Sequence, residues 1–250
     1  MATQSVEFAN VSFVPPGGPE ILRDICLRVE PGTTTALLGR SGSGKTTLLR
    51  TVNALVTPTS GRVLIGEQDV ATAELIPLRR SIGYVIQENG LFPHMTIARN
   101  VTLPLLLSGE KSPEAIAHRA EQILSMVGLS YAELAERYPW QLSGGQRQRV
   151  GLARALIAEP RVLLMDEPFG ALDPLTRAEM QNMLGNLLRA VGITTLLVTH
   201  DLDEALYLAD RVVLLEAGRV VANLAAAEVR SSEIVAVRKY VLATRRSEAA

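Results

Sequence analysis

The sequence predicts an α/β fold in which a mostly parallel sheet is interrupted by a helical subdomain. Three observations predict it. A strand, a glycine-rich turn and a helix follow one another from Thr33 to Leu55. From Glu88 to about Gln141 the pattern turns helical. Strand character then returns at Arg161, Thr194 and Val212 with helical stretches between. A length of 250 residues suits one α/β domain carrying an insert.

The elements follow in order. Val6 to Phe13, Ile25 to Val29 and Val63 to Ile65 are short β-like segments around the glycine-rich turn. Cys26 is the one cysteine, so it forms no internal disulfide, and it is expected as a small buried hydrophobe. Thr33 to Leu38 is apolar and β-branched and reads as a strand; Lys45 to Leu55 reads as a helix. Ile82 to Ile86 is a further strand ending at Gln87. Within the insert, Ile97 to Leu107 and Pro113 to Val127 carry helical periodicity. Ser112-Pro113-Glu114 supplies the second with an N-cap, a proline at the first position and an acidic first turn. Gly144 to Ala158 is a third helix. Arg161 to Met165, bounded by Pro160 and Pro168, is a strand expected to be buried on both faces. Thr194 to Thr199 and Val212 to Leu215 are the last strands, and a short tail places Ile234, Val237 and Val241 on one helical face. No internal repeat or low-complexity tract is present.

Composition narrows the function classes. The chain is 47% hydrophobic and 20% charged, which suits a globular protein and argues against disorder. A net charge of −1 gives no bulk attraction to nucleic acid or anionic lipid. No run approaches the ~18 apolar residues of a membrane span. Met1 to Ser5 offers neither a basic region nor an apolar stretch, so no secretory signal is visible. The expectation is a cytosolic protein that meets a membrane through a partner.

Four segments carry chemistry. Gly39-Arg40-Ser41-Gly42-Ser43-Gly44-Lys45-Thr46, between a strand and a helix, points successive N–H groups at phosphates. Lys45 reaches the β- and γ-phosphate oxygens, and the Thr46 hydroxyl ligates Mg²⁺. Asp166, at the end of a buried strand, is placed to hold Mg²⁺ as well, and Glu167 to polarise an attacking water. Leu142-Ser143-Gly144-Gly145-Gln146 opens a helix, where N–H groups bind anions; it is a second phosphate cradle. His200 follows a strand's C-terminal end, in the crevice where an imidazole meets a bound phosphate. His94 and His118 lack metal-ligand spacing and read as surface residues.

In order and spacing these motifs, with Gln87 and Ala171-Leu172-Asp173, resemble an ABC transporter ATP-binding subunit from about Val6 to Val221. The resemblance implies a P-loop NTPase with a mostly parallel core sheet, an N-terminal antiparallel β portion and an inserted helical subdomain. It implies one nucleotide-binding domain over 1–250: a core of about 1–87 and 160–225, a helical subdomain of about 88–159, and a tail of about 226–250. It implies two ATPases paired head to tail, as a homodimer or with a related chain. Each Mg-ATP then lies between Gly39 to Thr47 of one subunit and Ser143, Gly144, Gly145 and Gln146 of the other. Asp173 sits in the loop crossing the interface. Gln87 contacts Mg²⁺ and the attacking water; Glu167 and His200 complete the catalytic set. The next residues, Gly90-Leu91-Phe92-Pro93, either touch a cytoplasmic helix of a transmembrane permease subunit or pack into the helical subdomain. Two departures stand out. Gly170 replaces a frequent serine. Pro15 falls where an aromatic normally stacks on adenine, leaving Phe13 as either core or substitute platform.

Ile82 to Ile97, Met165 to Arg177 and Thr199 to Ala205 are similar to the ATPases of osmoprotectant importers for glycine betaine, choline or proline. That similarity implies uptake of a small polar solute, with a solute-binding protein in the full system and this subunit on the inner face of the cell membrane. Another cargo, such as an amino acid or a lipid, would keep every motif. A non-transport ABC ATPase on ribosomes or DNA more often has tandem cassettes or a coiled coil, and no nucleic-acid partner is expected. Longer members append regulatory domains; none is expected after Val221.

Overall fold

The computed structural model describes residues 3–86, 90–110, 112–170 and 172–248. The chain opens with β1 (Val6–Phe13) and β2 (Leu22–Val29), then β3 (Thr34–Leu38), α1 (Lys45–Val52), β4 (Ser60–Ile65), β5 (Gln68–Asp69), α2 (Leu75–Arg80) and β6 (Ile82–Val85). The helical insert follows as α3 (Ile97–Ser108), α4 (Pro113–Met126), α5 (Tyr131–Leu134) and α6 (Gly144–Leu156). Then come β7 (Val162–Asp166), α7 (Pro174–Val191), β8 (Thr194–Thr199), α8 (Leu202–Leu208), β9 (Arg211–Glu216), β10 (Arg219–Ala225) and α9 (Val235–Glu248).

One sheet is antiparallel, in the order β2-β1-β4-β5, and alternation sets its faces. In β2, Leu22, Ile25, Leu27 and Val29 are buried, and the intervening side chains point out. Period-two geometry therefore corrects the expectation for Cys26: it lies on the outward face and is exposed. The other sheet runs β10-β9-β3-β8-β7-β6, with β9, β3, β8, β7 and β6 parallel and β10 closing one edge as a hairpin with β9. Every residue of β3, β7 and β8 is buried, as expected where both faces of a parallel sheet are covered.

The insert is itself the crossover between neighbouring parallel strands. β6 and β7 pair from Ile82–Val162 to Val85–Met165, and α3 to α6 form the connection. Its apolar residues share one core with the sheet: Ile97, Val101, Ile123, Leu124 and Leu156 pack with Leu163 and Met165. Asn100 is buried and pins the preceding loop. It accepts from Phe92 N at 2.7 Å and donates to the carbonyls of Phe92, Met95 and Thr96. Leu91 is partly buried against the core of the insert, whereas Phe92 stays exposed.

The tail differs from the periodicity in one residue. Val237 and Val241 of α9 are buried against Leu38, Leu202, Val212 and Leu214, but Ile234 lies ahead of the helix and is exposed. Among the described residues, no helix is long and apolar enough to cross a membrane.

Candidate nucleotide site

The glycine-rich turn joins the C-terminal end of β3 to α1. Gly39 is required by close approach, since a Cβ there would stand 2.4 Å from the Leu215 carbonyl oxygen. Gly42 and Gly44 adopt φ of 78° and 100°, in the left-handed region that glycine enters without strain. Lys45 is buried and folds back on the loop, donating to the Gly39 and Arg40 carbonyls at 2.8 and 3.0 Å. Burial pulls its ammonium below the ordinary lysine value, against the opposing pull of Glu167 and Asp166. Thr47 follows in the first turn of α1.

β7 lies two strands from β3, with β8 between, so its carboxylates reach the same end of the sheet. The Thr46 hydroxyl donates to Asp166 Oδ1 at 2.8 Å. Two oxygen donors so close suit a hard cation such as Mg²⁺, which takes one or two protein ligands and completes its shell with water and phosphate. No larger group of His, Cys, Asp and Glu fit to hold a metal occurs among the described residues.

Glu167 has φ 47°, a left-handed conformation costing a non-glycine residue of order 1 kcal/mol. A bond from its N–H to the Val198 carbonyl, 3.0 Å, holds it there. The turn brings Glu167 Oε2 to 3.4 Å from His200 Nδ1. Residues 33 apart in sequence thus meet at the ends of adjacent strands β7 and β8.

The second cradle is built separately. Ser143 caps α6: its Oγ accepts from Gln146 N at 3.2 Å, and its own N–H donates to Gln146 Oε1 at 3.0 Å. Gly144 opens the helix. Gly145 is buried against α7, where a Cβ would stand 2.7 Å from Thr176 Cγ2. Asp173 caps α7, and the Thr176 contact holds its carboxyl below the usual range. Among the described residues, no hydrogen bond or ion pair joins Ser143–Gln146 to Gly39–Thr47. Gln87 and Ala171 lie outside the described residues. His94 and His118 are exposed.

Three further residues enter the site. Arg50 Nη2 stands 3.8 Å from Asp166 Oδ2; it lies one helical turn after Thr46, so helix spacing alone could have found it. Tyr240 of α9 donates to the His200 carbonyl at 2.8 Å, a long-range contact with no local signal. Glu204 is buried in α8, and burial, then the neighbouring Asp201 charge, push its carboxyl up to about 8.

The ABC transporter family profile matches residues 22–170. The chain is 46% identical over 219 residues to the carnitine transport ATP-binding protein OpuCA of Listeria monocytogenes, covering 86% of this chain and 54% of that one. It is 48% identical over 202 residues to the sulfate/thiosulfate import ATP-binding protein CysA 2 of Agrobacterium fabrum, covering 80% and 58%. The chain thus spans a little over half the length of these relatives. Among solved structures, it resembles a dimeric post-hydrolysis state of the ATP-binding cassette MJ0796 bound to ADP and Pi. The TM-score is 0.78 at 34% identity, over 88% of this chain and 98% of that one.

Proposed function

Since the chain belongs to the ABC transporter family, we propose that it is the ATP-hydrolysing motor subunit of an importer for a small quaternary amine. The observation that carries the reading is the convergence of Thr46–Asp166 at 2.8 Å and Glu167–His200 at 3.4 Å beside a phosphate-binding turn.

In this reading the N–H groups of Gly39 to Thr47 and the Lys45 ammonium hold the phosphates of ATP. Thr46, Asp166 and Gln87 would hold Mg²⁺, which would offset the negative charge of the phosphates. Glu167 takes a proton from the attacking water, and His200 orients the carboxylate and the γ-phosphate. Ser143, Gly144, Gly145 and Gln146 of a second subunit close the site, with Asp173 at the crossing. The similarity to a dimeric cassette supports such a pair. Transmembrane permease subunits bind the motor at the inner face of the membrane, and a solute-binding protein delivers cargo.

Glu167→Gln tests the chemistry. Turnover should fall about 10²- to 10⁴-fold while Mg-ATP still binds and pairs the subunits; near-normal turnover removes Glu167 from the base role. The 48% identity to a sulfate importer ATPase supports a second cargo reading. Uptake of labelled carnitine, glycine betaine and sulfate in cells lacking this chain decides between them.

A further inference from the structure

Trp140 is the only tryptophan in the chain, and 71% of it is exposed. It sits three residues before Ser143, on a one-turn 3-10 helix, Pro139–Gln141. The turn is a rigid mount. Gln141 Oε1 accepts from Tyr138 N at 2.8 Å, Leu142 N donates to the Pro139 carbonyl at 3.2 Å, and Pro139 and Leu142 are buried. The indole lies nearly parallel to the Tyr138 ring, 13° between planes with centroids 6.0 Å apart. Two aromatic faces are thus held out in water beside a phosphate cradle. Three residues span at most about 10 Å, the scale of one nucleotide.

Aromatics nearer the phosphate-binding turn are committed elsewhere. Phe13 and Tyr84 pack against the core beneath the antiparallel sheet, and the Tyr240 ring packs against the core that holds Val237 and Val241. Pro15 has no π-face to offer. A purine has one, and stacking a base on an aromatic side chain is worth about 1–3 kcal/mol.

We propose that Trp140, backed by Tyr138, is the platform on which ATP bound to the partner subunit rests its adenine. The chain supplies to its partner's nucleotide the stacking face that Pro15 does not supply to its own. The proposal rests on the paired-subunit reading above.

As the sole tryptophan, Trp140 reports on itself. In full-length Glu167→Gln protein, Mg-ATP should change its emission, with an amplitude that rises with protein concentration and tracks pairing by light scattering. With Ser143→Arg added, ATP still binds the phosphate turn, and the change should vanish. Trp140→Ala should raise the ATP concentration needed for pairing about 5- to 150-fold, the range a lost base stack gives. Trp140→Phe and Trp140→Tyr should restore most of it. Pairing with no change in emission overturns the platform, as does native pairing by Trp140→Ala or a failure of Phe and Tyr to rescue. If Mg-ATP does not pair the Glu167→Gln protein at all, the paired-subunit reading falls and takes the platform with it.

Discussion

Glu204 shows how far a residue's chemistry can drift from its sequence position. It is an ordinary helix glutamate until α7 and α8 pack around it, leaving one carboxylate oxygen buried without a hydrogen-bond partner. Arg177 reaches the same cluster, 3.9 Å from Asp201, but does not reverse the upward shift. A carboxyl raised to about 8 in the fold ionises near the ordinary glutamate value of 4.5 when unfolded. Folding therefore holds the proton: its stabilising share is complete below pH 4.5 and is lost as pH rises to about 8. Glu204→Gln should flatten that slope, so that its stability advantage over the native chain grows from pH 5 to about 8 in denaturant titrations. An unchanged slope would place the ionised form comfortably in the fold. Gly39 to Thr46 was legible in the sequence as a glycine-rich turn between strand and helix, because such a turn is local and its spacing states its geometry. Glu204 was not, because its burial is decided by helices that converge only in the fold.

At the scale of elements, the strands and helices that bear function were readable, since each combines an apolar period with flanking turn chemistry. The period-two pattern of β2 was there to be read as well, and it is what sets Cys26 outward. What periodicity could not supply was the edge: β10 is half-exposed, and its hairpin with β9 depends on the tight Ala217–Gly218 turn. Nor could it show how closely β6 approaches α6. A Cβ on Gly83 would stand 2.5 Å from the Ala155 carbonyl oxygen and 3.0 Å from Leu163 Cδ1. Backbone cannot yield as a flexible side chain does. Gly83→Ala should therefore destabilise by about 1–3 kcal/mol and lower Tm by several degrees. Calorimetry checks it; an unchanged Tm would mean that strand and helix separate freely.

At the scale of the whole molecule, the two proposed phosphate cradles belong to different packing units. The phosphate turn leads into α1, whose Leu48 and Leu49 lie in the core under the antiparallel sheet; Ser143 precedes α6, whose Val150 and Leu156 lie in the core of the insert. Separate construction is what a shared site between two copies requires, and it yields a complementation test. Lys45→Ala removes one cradle and Ser143→Arg the other. Each variant alone should fail to form a closed pair with Mg-ATP. Mixed, they should form heterodimers with one intact site, detectable by crosslinking at limiting ATP. Recovery of neither pairing nor ATP occupancy in the mixture would count against cradles contributed by different subunits. The motifs announced the parts; which side of the molecule each part faces was written only in the packing.

The Tyr240–His200 bond has a mechanical consequence. From Tyr240 to Glu248, α9 extends about 12 Å, at 1.5 Å per residue. It is an arm whose inner part touches the backbone of His200 through the Tyr240 hydroxyl. Force applied to its far end, by a tether, a fused segment or a neighbour, meets the packing of Val237 and Val241 as well as the one hydroxyl that touches the His200 backbone.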